Sequence, residues 1–506
     1  MKVRFLFFLI AARLAAAQPG AVAGPLVVSD RWPECTSLEI WTHDVMRLEG
    51  LEHAPETAQA KAFFHWLRLF SRMATGGMIQ AWEGDAGQEK YVTDAHKNLF
   101  VYGWGYCDTT SRIAEAAWTE FKHDPQAAER VVLQHEDGGY HTLYRLRLDG
   151  HFGAFDPRYG YYLIDRDSPD ARILDWAEVH GNILKNKIYN NRSAPFFEYF
   201  GLEWQRAQLI RPAYYPTEEA WIAAGQPKET VFGNRQYIPG TRFHDMDFQL
   251  LPGMTIERHW DNSARKFYVP SGRHTQKEEP FLPSGRFYRV TETMLDGNWL
   301  KYDPNYQKVK PYLVTVPGNE GYNQDVSGGR TIGQAWGKIT YQPEASAVAG
   351  GLIDIYSPYV LVDGSVRTQG VEVRTLRSKA ASETEPDGWS AWRPVGSGTL
   401  HEVKGVYRLQ IRGLADRLAA LRLELYFENG IMSIPQIFWG SNTIHFKVHD
   451  AASIKRPIKV SYRYQTADGE RVHTQALAAS DFHGEIATYE IDAPGLIRCN
   501  SLTIGY

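Results

Sequence analysis

The dipeptide Asp149-Gly150, set between two stretches of alternating apolar and polar residues, is the feature that most restricts how this chain folds. A two-residue hairpin turn of type I′ needs a positive φ at both central positions, and Asp-Gly meets that need. With these residues as the turn, Leu148 lies opposite His151 and Arg147 lies opposite Phe152. The register of the hairpin is therefore predicted, and with it the sheet face of each side chain.

Counted outwards from the turn, the same register places Leu143 opposite Asp156. Residues directly opposite share a sheet face, as do residues two apart on one strand, so His141 and Asp156 are diagonal neighbours on one face. The backbones of such neighbours are about 7–8 Å apart, a gap that an imidazole and a carboxylate can close with a hydrogen bond. The hairpin alone thus predicts an oriented His–Asp pair.

Upstream of the hairpin, a cysteine lies where a loop becomes a helix. Cys107 follows a Gly- and aromatic-rich stretch and precedes a helical pattern over 111–121. A thiol in the first turn of a helix faces unpaired N–H groups and the positive end of the dipole, which both stabilise the thiolate. We therefore predict Cys107 as nucleophile, His141 as its base and Asp156 as the carboxylate that orients the imidazole, with N–H groups of the helix start stabilising an oxyanion.

The order of a Cys-initiated helix, a His strand and an Asp strand resembles the transglutaminase-like superfamily, which has a papain-like core. The resemblance covers roughly residues 90–165 and includes Phe155-Asp156-Pro157 at the end of a strand. It implies the same three roles for Cys107, His141 and Asp156. One departure is that Thr142 and Leu143 follow the histidine, where members often have an aromatic or small residue and then Trp. Further candidates to contact substrate or oxyanion are Trp104, Tyr140, Tyr159 and Arg158.

Patterns along the chain predict an α+β fold in three parts after a leader. Residues 1–17 have the basic start, apolar run and small-residue cleavage site of a secretory signal peptide. Residues 30–205 mix helices and strands, with an amphipathic helix over 55–73. Residues 206–340 are β-rich, and the short, regularly spaced strands of 341–506 predict one or two β-sandwich domains. By the resemblance, the first part is the transglutaminase-like domain.

Composition narrows the classes of partner. The chain has 506 residues, of which 43% are hydrophobic and 23% charged, with a formal net charge of −4. This near balance gives no indication of a nucleic-acid partner, and no stretch approaches the roughly 18 apolar residues of a membrane span. We find no cofactor-binding or metal-binding motif. We expect a secreted or periplasmic protein that acts on an extracellular peptide, protein or polysaccharide, with its oligomeric state open.

The chain contains three cysteines, an odd number for an exported protein. Cys35 and Cys499 can form a disulfide in an oxidising compartment, which leaves Cys107 with a free thiol. The alternative is that all three are buried, inert cysteines.

Three functions are compatible with these patterns. The first is an exported thiol-dependent amide or peptide hydrolase, or a transglutaminase-type acyltransferase. The second is a polysaccharide-processing lyase, in which His141 or a tyrosine moves the proton α to a uronate carboxylate and Arg145, Arg147 and Arg158 neutralise that carboxylate. The third is a non-catalytic glycan- or matrix-binding protein. The ordered Cys, His and Asp rank the thiol enzyme first.

Overall fold

The fold comes from a computed structural model. It describes residues 20–73, 81–83, 90–92, 94–105, 107–134, 140–157, 161–166, 168, 170–175, 178, 244, 246, 248–261, 264, 313–315, 334–368, 370–376 and 388–506. The predicted leader, Arg158 and Tyr159 lie outside the described residues. For Trp104, Tyr140 and His141 the backbone alone is described.

The described chain is mixed and β-rich, with few helices. The helices are α1 (Leu38–Leu48), α2 (Glu56–Phe70), α3 (Cys107–Lys122) and α4 (Ala415–Ala419), and a π-helix spans Lys97–Tyr102. Ser37 caps α1, because its side chain accepts a hydrogen bond from the N–H of Ile40 at 3.1 Å. The amphipathic patterns predicted α2 and most of α3, and α3 begins four residues earlier, at Cys107 itself.

Helices α1 to α3 pack around a cluster of aromatic rings. Trp41, Phe63 and Trp118 are fully buried, and the ring centroid of Phe63 lies 5.3 Å from that of Trp118 and 5.9 Å from that of Trp41. Tilted and edge-on ring pairs of this kind contribute about 0.5–1.5 kcal/mol beyond the burial of their area. The three helices therefore form one packed layer.

The first ten strands lie before, between and directly after helices α1 to α3 in the chain, and the other sixteen follow them. The first group is β1 (Val22–Ala23), β2 (Leu26–Ser29), β3 (Arg72–Met73), β4 (Trp82–Glu83), β5 (Lys90–Tyr91), β6 (Trp104–Gly105), β7 (Ala128–Gln134), β8 (Tyr140–Leu148), β9 (His151–Asp156) and β10 (Tyr161–Leu163). The second group is β11 (Gln249–Leu250), β12 (Met254–His259), β13 (Leu313–Thr315), β14 (Gln334–Tyr341), β15 (Leu352–Arg367), β16 (Val371–Leu376), β17 (Arg393–Val395), β18 (Gly398–Thr399), β19 (Val406–Arg412), β20 (Arg422–Gly430), β21 (Gly440–Lys447), β22 (Ile458–Thr466), β23 (Gly469–Leu477), β24 (Phe482–His483), β25 (Ile486–Ala493) and β26 (Leu496–Gly505).

An antiparallel sheet in the order β13-β10-β9-β8-β7 packs against the helical layer. Tyr144 of β8 stacks on Phe155 of β9 at 5.4 Å between ring centroids, and both rings contact Phe64 of α2. Helix α3 packs along β7 and β8. The hairpin that carries the predicted His–Asp pair is thus held between two helices and two further strands.

Most of the remaining strands build two further sheets, while β1 pairs with β11, β3 with β6 and β4 with β5 in separate two-stranded sheets. The large sheet has the order β17-β16-β19-β15-β20-β14-β12-β26-β22-β23, with β18 beside β15, and the small sheet has the order β2-β21-β25-β24. Strands β12 and β14, from the segment expected to be a separate β-rich region, lie inside the large sheet. Strand β2 pairs Leu26 with Lys447 of β21, so the small sheet takes a strand from the start of the described chain.

No helix within the described part of the chain combines the length and the apolar character needed to cross a bilayer.

The core of the large sheet provides a stability test. A Cβ atom added at Gly337 of β14 would lie 2.1 Å from the ring of buried Phe427 and 2.8 Å from the carbonyl oxygen of Glu257. We expect Gly337→Ala to lower the free energy of unfolding by about 1–3 kcal/mol, the usual cost of overpacking, in urea denaturation. The control is Gly350→Ala, where nothing lies within 4 Å. Equal stability of the two variants would contradict the close packing of β14.

Candidate functional site

The predicted nucleophile is placed by the glycines that precede it. Cys107 is the first residue of α3 and is 3% exposed. The π-helix ends at Gly103, whose φ of 66° lies in the left-handed region. A Cβ atom at Gly105 would lie 2.5 Å from the side chain of Thr109. The glycines therefore allow a sharp turn and a close approach of the chain to the first turn of α3.

The hairpin has the register that its Asp-Gly turn predicts. Asp149 and Gly150 have φ angles of 49° and 89°. Leu148 lies opposite His151, and the pairing continues in step along β8 and β9. A positive φ at both turn positions matches the twist of the two strands, which fixes the pairing without a bulge.

This register brings His141 and Asp156 to one end of the hairpin. His141 is the second residue of β8, and Asp156 is the last residue of β9. Tyr144 pairs with Phe155, and one further step of the ladder places Leu143 opposite Asp156. The two backbones are therefore diagonal neighbours, as predicted. The contacts of the imidazole with the thiol and with the carboxylate stay predictions, since the structure describes the backbone of His141.

One hydrogen bond joins the start of α3 to this end of the hairpin. The buried hydroxyl of Ser111 donates to the carbonyl of Thr142 at 3.4 Å. Two further steps of the β8–β9 register would place Thr142 opposite Pro157, which has no N–H to donate, and the Ser111 hydroxyl donates to the Thr142 carbonyl instead. Ser111 lies one turn after Cys107 on the same helix face, and Thr142 directly follows His141. The first turn of α3 is therefore held beside the strand end that carries the predicted base.

A buried arginine that the sequence analysis missed lies at the same place. Arg68 of α2 is 1% exposed and donates to the carbonyl of Pro157 at 2.6 Å. Burial raises the pKa of the Tyr144 hydroxyl well above its usual range, while Arg68 lowers that pKa and Asp156 raises it. The charges of Arg68 and Asp156 therefore both act on the Tyr144 hydroxyl, in a region from which water is excluded. A signal existed, because Arg68 follows Phe64 by four residues and so falls on the buried stripe of α2.

A second buried network anchors α3 directly after the thiol. Asp108 accepts hydrogen bonds from Arg112 at 3.0 Å and from Arg130 of β7 at 2.9 Å, and Arg130 also pairs with Glu115 at 2.9 Å. Burial raises the pKa of Asp108. The two arginines together lower this pKa by more than burial raises it, so the net pKa lies below its usual value. Burial raises the pKa of Glu115. The network ties the first two turns of α3 to β7.

A third network links the chain ahead of Cys107 to the large sheet. The Glu83 carboxylate of β4 accepts hydrogen bonds from Lys97 at 2.6 Å, from Tyr102 at 2.6 Å and from Tyr407 of β19 at 2.5 Å. Lys97 also lies over the ring of Tyr407, 4.5 Å from its centroid. Burial, and then the charge of Glu83, raise the pKa of Tyr102 well above its usual value. The large sheet thus helps to hold the π-helix that leads to Cys107.

Two of the arginines expected to neutralise a uronate are already paired with carboxylates. Arg145 forms ion pairs with Glu129 at 2.6 Å and with Asp175 at 3.0 Å. Arg147 forms an ion pair with Asp124. Each guanidinium has its charge balanced within the fold, which weakens the lyase interpretation.

Of the two alternatives left open for Cys35 and Cys499, the disulfide is not formed, because both cysteines are free. Each sulfur instead lies 3.5 Å from a carbonyl oxygen, that of Pro33 for Cys35 and that of Ile437 for Cys499. Burial raises the pKa of the Cys35 thiol, and it raises that of Cys499 to about 11. Neither environment activates a thiol, so neither cysteine competes with Cys107 as a candidate nucleophile.

Among the residues that the structure describes, no group of three His, Cys, Asp or Glu side chains is placed to hold a metal ion.

Comparison with known proteins adds no family assignment. No family model matches the chain, and no curated protein matches it. A solved structure found by the comparison is allantoicase from Saccharomyces cerevisiae, at 10% sequence identity, with 34% of this chain and 73% of that chain covered and a TM-score of 0.09. A TM-score of this size carries no argument about the fold. The functional interpretation therefore depends on the geometry described above.

The Glu83 network gives a coupled stability test. Lys97→Met leaves the buried Glu83 carboxylate without its cation, and we expect a loss of about 3–5 kcal/mol in the free energy of unfolding, measured with urea. Adding Glu83→Gln removes the stranded charge and should restore most of that loss. A double variant as unstable as the single one would show that the two side chains are not coupled.

The Asp108 network predicts a pH dependence. Because the pKa of Asp108 is lowered in the folded protein, its contribution is complete above the unfolded pKa of about 4 and is lost as the pH falls through the lower folded pKa. We expect Asp108→Asn to destabilise the protein at pH 7, and the difference from wild type in unfolding free energy to shrink below about pH 4. The control is Asp468→Asn, at a side chain that is 84% exposed. A difference that does not change with pH would contradict the ion pairing.

Proposed function

We propose that this protein is a thiol-dependent acyl-transfer enzyme of the transglutaminase-like type, which hydrolyses an amide or peptide bond with Cys107, His141 and Asp156. The observation that supports it most is the hydrogen bond from Ser111 to the carbonyl of Thr142, which joins the start of α3 to the end of the hairpin. A helix-start thiol, a strand-end imidazole and an adjacent buried carboxylate are the groups that such chemistry requires.

The reaction proceeds in two halves. The Cys107 sulfur attacks the carbonyl carbon while His141 takes the thiol proton, and Asp156 stabilises the resulting imidazolium. N–H groups in the first turn of α3 stabilise the oxyanion. Collapse of the tetrahedral intermediate expels the amine, which receives the proton from His141 and leaves a thioester on Cys107. Water, deprotonated by His141, then attacks the thioester and releases the acid and the free thiol. An amine in place of water gives cross-linking.

In this proposal, the helical layer and the sheet of β7 to β10 form the transglutaminase-like domain, and the large and small sheets form an appended β-sandwich. The protein is exported, and its substrate is an extracellular peptide or protein. A glycan-processing role receives less support, since Arg145 and Arg147 are neutralised by carboxylates of the fold.

The proposal predicts that one thiol carries the activity. We expect Cys107→Ala to lower turnover on the true substrate by about 10³-fold or more, and Asp156→Asn to lower it strongly, because the imidazole loses its orienting carboxylate. Amine release from a panel of peptides and amides measures the rate. Intact mass after reaction with an activated ester measures the acyl-enzyme. The matched control is Cys499→Ala, which removes a thiol outside the proposed site and should leave both signals unchanged.

The same panel, extended to polysaccharides, separates the alternatives. Full turnover by Cys107→Ala would overturn the thiol mechanism. Release of unsaturated sugar ends that absorb in the ultraviolet, unaffected by that variant, would instead identify a lyase. No turnover on either panel, together with slow and nonselective alkylation of Cys107, would identify a binding protein.

A further inference from the structure

A buried arginine between the large and small sheets has no counter-charge. Arg258 of β12 is 7% exposed. Its Nη2 donates to the Tyr359 hydroxyl at 2.7 Å, to the Ser433 carbonyl at 3.0 Å and to the Ser433 hydroxyl at 2.9 Å, and all three acceptors are neutral. No carboxylate among the described residues forms an ion pair with Arg258, and its Nε is buried without a hydrogen-bond partner. A guanidinium is always charged, so this charge is uncompensated.

The acids near Arg258 do not supply the missing charge. The Glu34 carboxylate lines the same cavity, but it pairs with Lys447 at 2.7 Å and accepts a hydrogen bond from the Thr36 hydroxyl at 2.6 Å, and it forms no ion pair with Arg258. Burial raises the pKa of the Cys35 thiol, and the opposing effect of Arg258 is smaller, so the thiol stays neutral. Burial also raises the pKa of the Tyr359 hydroxyl, so it keeps its proton. A buried charge without a partner is strongly unfavourable, and the fold tolerates it best when an anion enters from solvent.

The arginine lines a cavity that can admit such an anion. Part of the wall is apolar, formed by Met246, Phe248, Leu502 and Ile504, and Glu34, Cys35, Tyr359 and Ser433 add polar atoms. An apolar wall excludes water and strengthens a charge–charge attraction. The free volume of ≈ 30 Å³ has room for about two water-sized groups, which fits a carboxylate or a halide and excludes a sugar or a peptide.

We propose that this cavity binds a small monovalent anion, of carboxylate or halide size, on the Nε–H of Arg258 and the O–H of Tyr359. The hydroxyl proton of Ser433 is directed to the carbonyl of Gly430 at 2.7 Å. The Tyr359 hydroxyl lies 3.3 Å from the Ser433 hydroxyl, which is a long hydrogen bond. The Tyr359 proton can therefore turn to a better acceptor. Two donors thus meet an anion whose charge balances the guanidinium.

Bound in this cavity, the anion connects the two ends of the described chain. The segment from Pro25 to Val28 and the residues around Cys35 form one wall, and strands β12, β15 and β26 form the other. The site therefore stabilises the attachment of β2, and of the chain ahead of α1, to the large sheet. It uses no residue of the proposed triad and is independent of the proposed enzymatic function.

Thermal unfolding of the full chain in a series of anions tests the proposal. Acetate, formate, chloride and bromide are titrated at constant ionic strength, with gluconate as the bulky balancing anion. We expect a saturable rise in Tm of about 2–4 °C for wild type and none for Arg258→Met. The matched control is Arg463→Met, at an arginine of β22 that is 52% exposed, which should respond like wild type. No rise in wild type, or an equal rise in Arg258→Met, overturns the proposal.

The series also identifies the kind of anion. If acetate and formate raise Tm at lower concentration than chloride and bromide do, the site prefers a carboxylate. If chloride and bromide act at the lower concentration, it prefers a halide. If Arg258→Met does not fold, wild-type crystals soaked in bromide give the answer. An anomalous peak beside the Arg258 side chain that fades with added acetate supports the site. The absence of a peak at saturating bromide overturns it.

Discussion

The burial of the first two turns of α3 is the constraint on which the rest of the site depends. Every residue from 107 to 114 is buried, including the charged side chains Asp108 and Arg112. A helix start can be buried only if its charges and polar groups find partners inside the fold. Arg130 of β7 supplies the positive charge that pairs with Asp108, and the carbonyl of Thr142 accepts a hydrogen bond from the Ser111 hydroxyl. These partners fix how the helix sits against the sheet.

The hairpin was predictable from the sequence because its determinants are local. Asp149-Gly150 requires a particular turn, and the turn sets the register of β8 and β9 without help from the rest of the chain. Helix α2 was predictable for the same reason, since its apolar residues recur at helical spacing. The relative backbone positions of His141 and Asp156 follow from that one register. They could therefore be predicted from the sequence alone.

The long-range supporting contacts were not predictable, because the two partners of each are distant in sequence. Tyr407 reaches Glu83 across 324 residues, and nothing in the local pattern of either segment indicates the other. The sequence left the pairing of Cys35 and Cys499 open for a related reason. An oxidising compartment allows a disulfide, but the number of cysteines does not show which sulfur atoms lie close together. In the fold, the sulfurs of Cys35 and Cys499 lie beside two carbonyl groups. Strand β2 likewise joins the small sheet through its pairing with distant β21.

The large sheet contacts the π-helix that precedes Cys107 through two of its strands, β19 and β20. Gly430 of β20 approaches the carbonyl of Phe100 so closely that an added Cβ would lie 3.0 Å from it. Together with the contacts of Tyr407, this close approach packs the large sheet against the π-helix. Without the large sheet, Glu83 would lose the Tyr407 hydroxyl as a hydrogen-bond donor. Lys97 would lose the Tyr407 ring, which shields it from water. The large sheet therefore packs against the segment that leads to Cys107 and supports that segment from one side.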